Sequence, residues 1–142
     1  MKINRRPLAF GLLLLLAAAA ACNFSVSTAN IASLKLGKNK EANPATTEFA
    51  PADTVYAVAE IANVPSKVKV KGRVLVDKVE GEQSGQVIPG TEKELDFEAS
   101  GTATFNYSVS SGWPPGTYKL EVLMLNEKGE QKDQKSETFT VK

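Results

Sequence analysis

The sequence predicts an all-β fold, an antiparallel β-sandwich of about seven short strands. Three observations carry that prediction. From Phe49 onward, apolar residues recur mostly at every second position, the period of a half-buried strand. Turn signals built from Pro, Gly and Asn interrupt the alternation about every ten residues. Helical spacing, with apolar residues three and four apart, does not occur beyond the N-terminal leader.

The elements follow in order. Ile31 to Leu36 is a short apolar alternation that fits either a first strand or a piece of linker. Thr54 to Val64 sets Val55, Ala57, Ala59 and Ile61 on one face and Tyr56, Val58 and Glu60 on the other, and Pro65-Ser66 ends it. Lys67 to Asp77 alternates cleanly. Val68, Val70, Val74 and Val76 face one way, and Lys67, Lys69, Lys71 and Arg73 the other. Glu80 to Gln86 reads as a loop, and Pro89-Gly90 as a turn. Glu92 to Ala99 alternates again, with Leu95 and Phe97 inward. After Ser100-Gly101 the residues Ala103, Phe105, Tyr107 and Val109 line a core face. Ser110 to Gly116 is a Gly/Pro corner. Thr117 to Leu125 is the most hydrophobic strand: Leu120, Val122 and Met124 share one face, and Leu123 and Leu125 make the other apolar too. Asn126 to Gly129 fits a hairpin turn with Gly129 left-handed. Thr138 to Val141 closes the sheet, with Phe139 and Val141 inward.

The run Trp113-Pro114-Pro115-Gly116-Thr117-Tyr118 resembles the corner that enters a late strand of bacterial immunoglobulin-like and fibronectin-like domains. That resemblance implies that the Tyr118 ring packs in the core while its hydroxyl bonds back to the backbone of the corner. It covers roughly residues 48–142. The cysteine pair of antibody domains is absent, so the likeness is to the cysteine-free variants. Many functions use this sandwich, so the fold alone names none.

The N-terminus is a different kind of segment. Lys2, Arg5 and Arg6 precede an apolar stretch from Leu8 to Ala21, which covers 14 positions. A membrane-spanning helix needs roughly 20. A basic region, a short apolar core and small residues before a cut site make a secretory signal peptide. Ala19-Ala20-Ala21-Cys22 resembles the lipobox of bacterial lipoproteins, although leucine is usual where Ala19 stands. The resemblance implies cleavage before Cys22 and attachment of a fatty acyl chain such as palmitate to its thiol. The competing reading is an ordinary signal peptide cut near Ala21 that leaves a free thiol. Cys22 is the only cysteine, so a lipidated chain has none left for a disulfide. Residues 1–21 are thus read as the leader, 22–47 as lipidated cysteine and tether, and 48–142 as the sandwich. Loss of the three leader cations takes the net charge from +1 to −2, which gives no basic field for nucleic acid. Asn23 is not the aspartate that lipoprotein families use for inner-membrane retention, and by resemblance this points to an outer membrane.

The residue inventory argues against catalysis. The chain has no histidine, so neither Ser-His-Asp nor Cys-His chemistry is available, and neither is a histidine-bearing metal site. Asp53, Asp77 and Asp133 stand alone, and a calcium site from Asp77, Glu80 and Glu82 lacks the dense acidic pattern of a calcium loop. No cofactor is implied. Two sequons, at Asn23 and Asn106, carry no meaning in a bacterial context.

Two features remain as candidate binding surface. Lys67, Lys69, Lys71 and Arg73 form a basic stripe, and Glu92, Glu94, Asp96 and Glu98 an acidic one, both with period two. If the strands are antiparallel neighbours, one register pairs Arg73 with Glu92, Lys71 with Glu94, Lys69 with Asp96 and Lys67 with Glu98. If instead the acidic strand pairs with Thr102–Ser108, the basic stripe is an unpaired patch for anionic headgroups or acidic polysaccharide. Trp113, the sole tryptophan, either caps the open end of the sandwich or serves as a platform for a sugar or partner. The expected function is a non-enzymatic, lipid-anchored envelope protein acting as a binding or assembly module for an envelope protein or polysaccharide. The alternative is a carbohydrate-binding or adhesion module with Trp113 and Tyr56 exposed.

Overall fold

The structure, a computed structural model, describes residues 29–142. Its elements are β1 (Asn30–Gly37), β2 (Glu48–Phe49), β3 (Val55–Ala62), β4 (Val68–Val79), β5 (Lys93–Phe97), β6 (Gly101–Tyr107), β7 (Gly116–Leu125) and β8 (Gln131–Val141). They form two sheets, β1-β3-β6 and β2-β8-β7-β4-β5. All strand pairs are antiparallel except β2 with β8. The chain thus crosses between the sheets repeatedly: β1, β3 and β6 lie in the smaller one, and β2, the β4–β5 pair and the β7–β8 hairpin in the larger. This is an immunoglobulin-like β-sandwich.

The alternation in the sequence produces the layers. In β4, Val68, Val70, Val74 and Val76 are buried between the sheets, while Lys69, Lys71 and Arg73 lie on the outer face. In β3, Val55, Ala57, Ala59 and Ile61 turn inward, opposite Ala103, Phe105 and Tyr107 of β6 across the register Val55↔Tyr107 to Ile61↔Gly101. β7 lies between β4 and β8 and is buried on both sides. Leu120, Val122 and Met124 fill the core, and the outward Glu121 and Leu123 are also covered. The turn after β7 is fixed by Asn126, whose Oδ1 accepts from the Lys128 and Glu130 amides at 3.0 and 2.9 Å, and Gly129 takes φ 80°.

The corner before β7 has the expected geometry. The Tyr118 hydroxyl donates to the Pro114 carbonyl at 2.6 Å while its ring stacks on Phe139. Gly72 occupies an inward position of β4 because the Tyr107 ring comes down on it. A Cβ there would lie 2.5 Å from the Tyr107 hydroxyl and 3.0 Å from the Phe105 ring.

Three expectations need correction. Residues 30–47 are not tether. Ile31 and Leu36 are buried, and Asn30–Gly37 pairs with β3 along its length, so the sandwich begins by Asn30 rather than at residue 48. The last strand starts at Gln131, not Thr138, because β8 forms ladder hydrogen bonds with β7 all the way from the hairpin despite its polar sequence. Leu95 shares the inward face with Val70 yet stays 38% exposed, because β5 is the edge of its sheet. The leader and Cys22 lie outside the described residues.

Candidate binding surfaces

The charge stripes meet on the outer face of the larger sheet. β4 and β5 are antiparallel neighbours, and the register sets Lys69 opposite Asp96 and Lys71 opposite Glu94. The alternative pairing of residues 92–98 with 102–108 does not occur, since β6 pairs with β3. Two side-chain contacts follow that register, Lys71 with Glu94 at 3.5 Å and Arg73 with Glu92 at 3.8 Å, and two lean diagonally from it, Lys69 to Glu94 at 3.2 Å and Lys67 to Asp96 at 3.7 Å. Long side chains reach such diagonal neighbours easily. Glu98 makes no ion pair among the described residues. The basic stripe is therefore matched by acid along its length and is not an unpaired patch for a polyanion.

One ion pair in this row is sheltered. Arg73 Nε donates to Glu121 Oε2 at 2.8 Å, and Gln134 Nε2 donates to the other oxygen of the same carboxylate. Sequence reading missed Glu121, because a carboxylate on an outward position normally signals solvent. Its covering comes from the arginine and glutamine of the flanking strands.

The exposed pairs still have a measurable signature. The Lys69 ammonium, and then Lys71, hold Glu94 below its ordinary value of 4.5. A carboxylate depressed in the folded state stabilises the fold above its unfolded value and loses that contribution as pH falls through the lowered one. Lys69→Ala therefore moves the Glu94 titration back up toward 4.5 and flattens the pH dependence of stability below that point. Side-chain carboxyl NMR titration checks it; an unmoved Glu94 would contradict the contact.

Trp113 is 1% exposed. Its indole N–H donates to the Asp53 carbonyl at 3.1 Å, and its ring meets Tyr118 and Phe139 edge-on at 5.2 and 5.6 Å. It closes the end of the sandwich and offers no stacking face, so its role as a sugar or partner platform falls away. Tyr56 is partly exposed on the outer face of the smaller sheet. Beside Trp113 lies an apolar pocket of ≈ 230 Å³, lined by Val76, Val79, Ile88, Val109, Trp113 and Tyr118, with Glu82 and Gln86 among its walls. Burial and the nearby Glu82 charge raise the Tyr118 hydroxyl pKa. The sequence hints at this pocket only through Ile88-Pro89, an apolar pair in a polar loop. At the other end, a groove of ≈ 450 Å³ runs between Lys67, Lys69, Glu94, Asp96 and the hairpin residues Leu125 to Glu127.

Asp77 accepts from the Thr117 hydroxyl at 2.9 Å, and no three acidic or thiol side chains converge among the described residues. No helix among them is long and apolar enough to cross a membrane.

No protein-family model matches the chain, and comparison with curated proteins finds no relative. Some solved structures superpose on most of this chain. A Bacteroides uniformis β-glucuronidase superposes with a TM-score of 0.51 at 13% identity, over 81% of this chain and 14% of that one. A β-glucosidase from Listeria innocua gives 0.49 at 12%, over 78% and 16%. A Niemann-Pick type C2 protein from the Japanese carpenter ant gives 0.47 at 10%, over 84% and 96%. At such identities the likeness speaks to the fold alone.

Proposed function

We propose that this protein is a non-enzymatic, lipid-anchored envelope protein of a bacterium, whose immunoglobulin-like sandwich acts as a binding or assembly module. The observation that carries the reading is Cys22, the chain's only cysteine, directly after a secretory-type leader. The surfaces of the sandwich support the binding half. A chain without histidine, with its basic stripe already paired to acid, has little to offer catalysis or a polyanion. Acylation of Cys22 consumes the strongest nucleophile the mature chain has.

The carbohydrate-binding alternative is weaker, because burial of Trp113 removes the aromatic platform on which it depended. Metabolic labelling with a clickable fatty acid tests the anchor. Wild-type protein takes up label and fractionates with membranes, and Cys22→Ser loses both. Equal labelling of the variant would refute acylation at this residue. Envelope cross-linking tests the module: a stable protein partner supports assembly, and glycan-array binding without one supports the alternative.

A further inference from the structure

Because β1 belongs to the sandwich, the link between lipid and domain is far shorter than a tether of residues 22–47. Only seven Cα–Cα steps separate Cys22 from Ala29, a reach of about 25 Å at full extension. The point where that link meets the domain is fixed. Ala29 is buried, the Ile31 amide donates to Asp133 Oδ2 at 2.8 Å, and Asn63 Nδ2 donates to Asn30 Oδ1 at 3.0 Å. The registers place this point at a definite end of the molecule. Asn30 lies opposite Ala62, Ile61 opposite Gly101, Val68 opposite Phe97 and Lys69 opposite Leu125. The loops 63–67, 98–100 and 126–130 therefore share one end with the chain entry. The loops 80–92 and 108–115, with the apolar pocket beside Trp113, occupy the opposite end. β7, ten residues long, separates the two ends by about 33 Å.

We propose that the end formed by loops 63–67, 98–100 and 126–130 is the membrane-facing surface of this protein, held against a phospholipid bilayer by the acylated Cys22. The Trp113 pocket end is presented outward. The inference rests on the lipid anchor proposed above. The charges at this end say that the covalent link, rather than electrostatic attraction, supplies the attachment. Lys67, Lys128 and Lys132 are offset by Glu98, Glu127 and Glu130, which leaves no net positive surface for anionic headgroups.

Energy transfer on the full-length lipidated protein tests this in phosphatidylethanolamine–phosphatidylglycerol vesicles carrying a headgroup-linked acceptor. A Cys22 whose sulfur carries lipid does not react with maleimide, so a donor can be placed on Lys128→Cys at one end or Ser84→Cys at the other. Both positions are exposed. With the ends about 33 Å apart, transfer from position 128 is expected to exceed that from 84 by about twofold or more. Inserting a Gly/Ser stretch between residues 28 and 29 lowers the 128 signal. Equal transfer from both positions, or an insertion without effect, overturns the orientation while leaving acylation intact. An unmodified Cys22 in the intact mass of the same preparation overturns the anchor itself, and the orientation with it.

Discussion

Trp113→Ala is expected to destabilise the fold by about 3–5 kcal/mol, the range for removing a fully buried large aromatic. The indole is 1% exposed and lies edge-on to both Tyr118 and Phe139. Such aromatic pairs contribute about 0.5–1.5 kcal/mol beyond the buried area. Truncation also leaves the Asp53 carbonyl without its indole donor. Tyr118 and Phe139 would then border a cavity at the end of the sandwich, next to the existing pocket. Because the substitution removes the only tryptophan, thermal unfolding followed by circular dichroism is the measurement. The melting temperature should fall by more than about 10 °C. Trp113→Phe should recover most of that, since it keeps a ring against Phe139. A loss near that of a surface substitution would contradict the packing described here and reopen the exposed-platform reading.

The second large effect is at Gly72. Gly72→Ala places a methyl group 2.5 Å from the Tyr107 hydroxyl and 3.0 Å from the Phe105 ring. Neither ring can move freely: both are buried between the sheets and stacked on one another at 6.5 Å, with the Lys93 ammonium over Tyr107 from the β5 edge. Overpacking of this kind costs about 1–3 kcal/mol. The Tyr107 hydroxyl finds no hydrogen-bond partner among the described residues, and burial raises its pKa. An unpaired buried hydroxyl is itself unfavourable by about 1 kcal/mol or more, so Tyr107→Phe should stabilise the protein by about that much. The double variant is the sharper test. Removing the hydroxyl clears the nearest clash, so Gly72→Ala should cost less on the Tyr107→Phe background. Strictly additive effects in chemical denaturation would show that the two residues do not press on each other.

The sheets were legible in the sequence wherever parity held. That β4 and β5 are neighbours stayed open in the sequence, but given that adjacency their register follows from eight charges, because two stripes of period two have one antiparallel alignment that matches opposite signs throughout. The corner at Tyr118 was legible because a Pro-Gly turn before a tyrosine forms a local structure of its own. β1 stayed ambiguous for a physical reason. The ladder with β3 is irregular between Ile31 and Ser33, which shifts the inward positions from Ile31 to Leu34 and Leu36 and breaks the alternation. The first half of β8 was missed because Gln131 to Ser136 is polar on both faces. Its strand character comes from β7 alongside it, which no local pattern records. For Trp113 the residue type favoured a cap without deciding it, since a tryptophan in a Pro/Gly loop can also serve as a platform. What decided it was the position of Tyr118 and Phe139 beneath it.

The N-terminus of the mature protein is where the proposed anchor is decided. Mass spectrometry of the N-terminal peptide from a membrane fraction reads it directly. The expected peptide begins at Cys22 and carries the added mass of acyl chains on that residue. A mature chain that begins elsewhere and retains a free Cys22 thiol would contradict it.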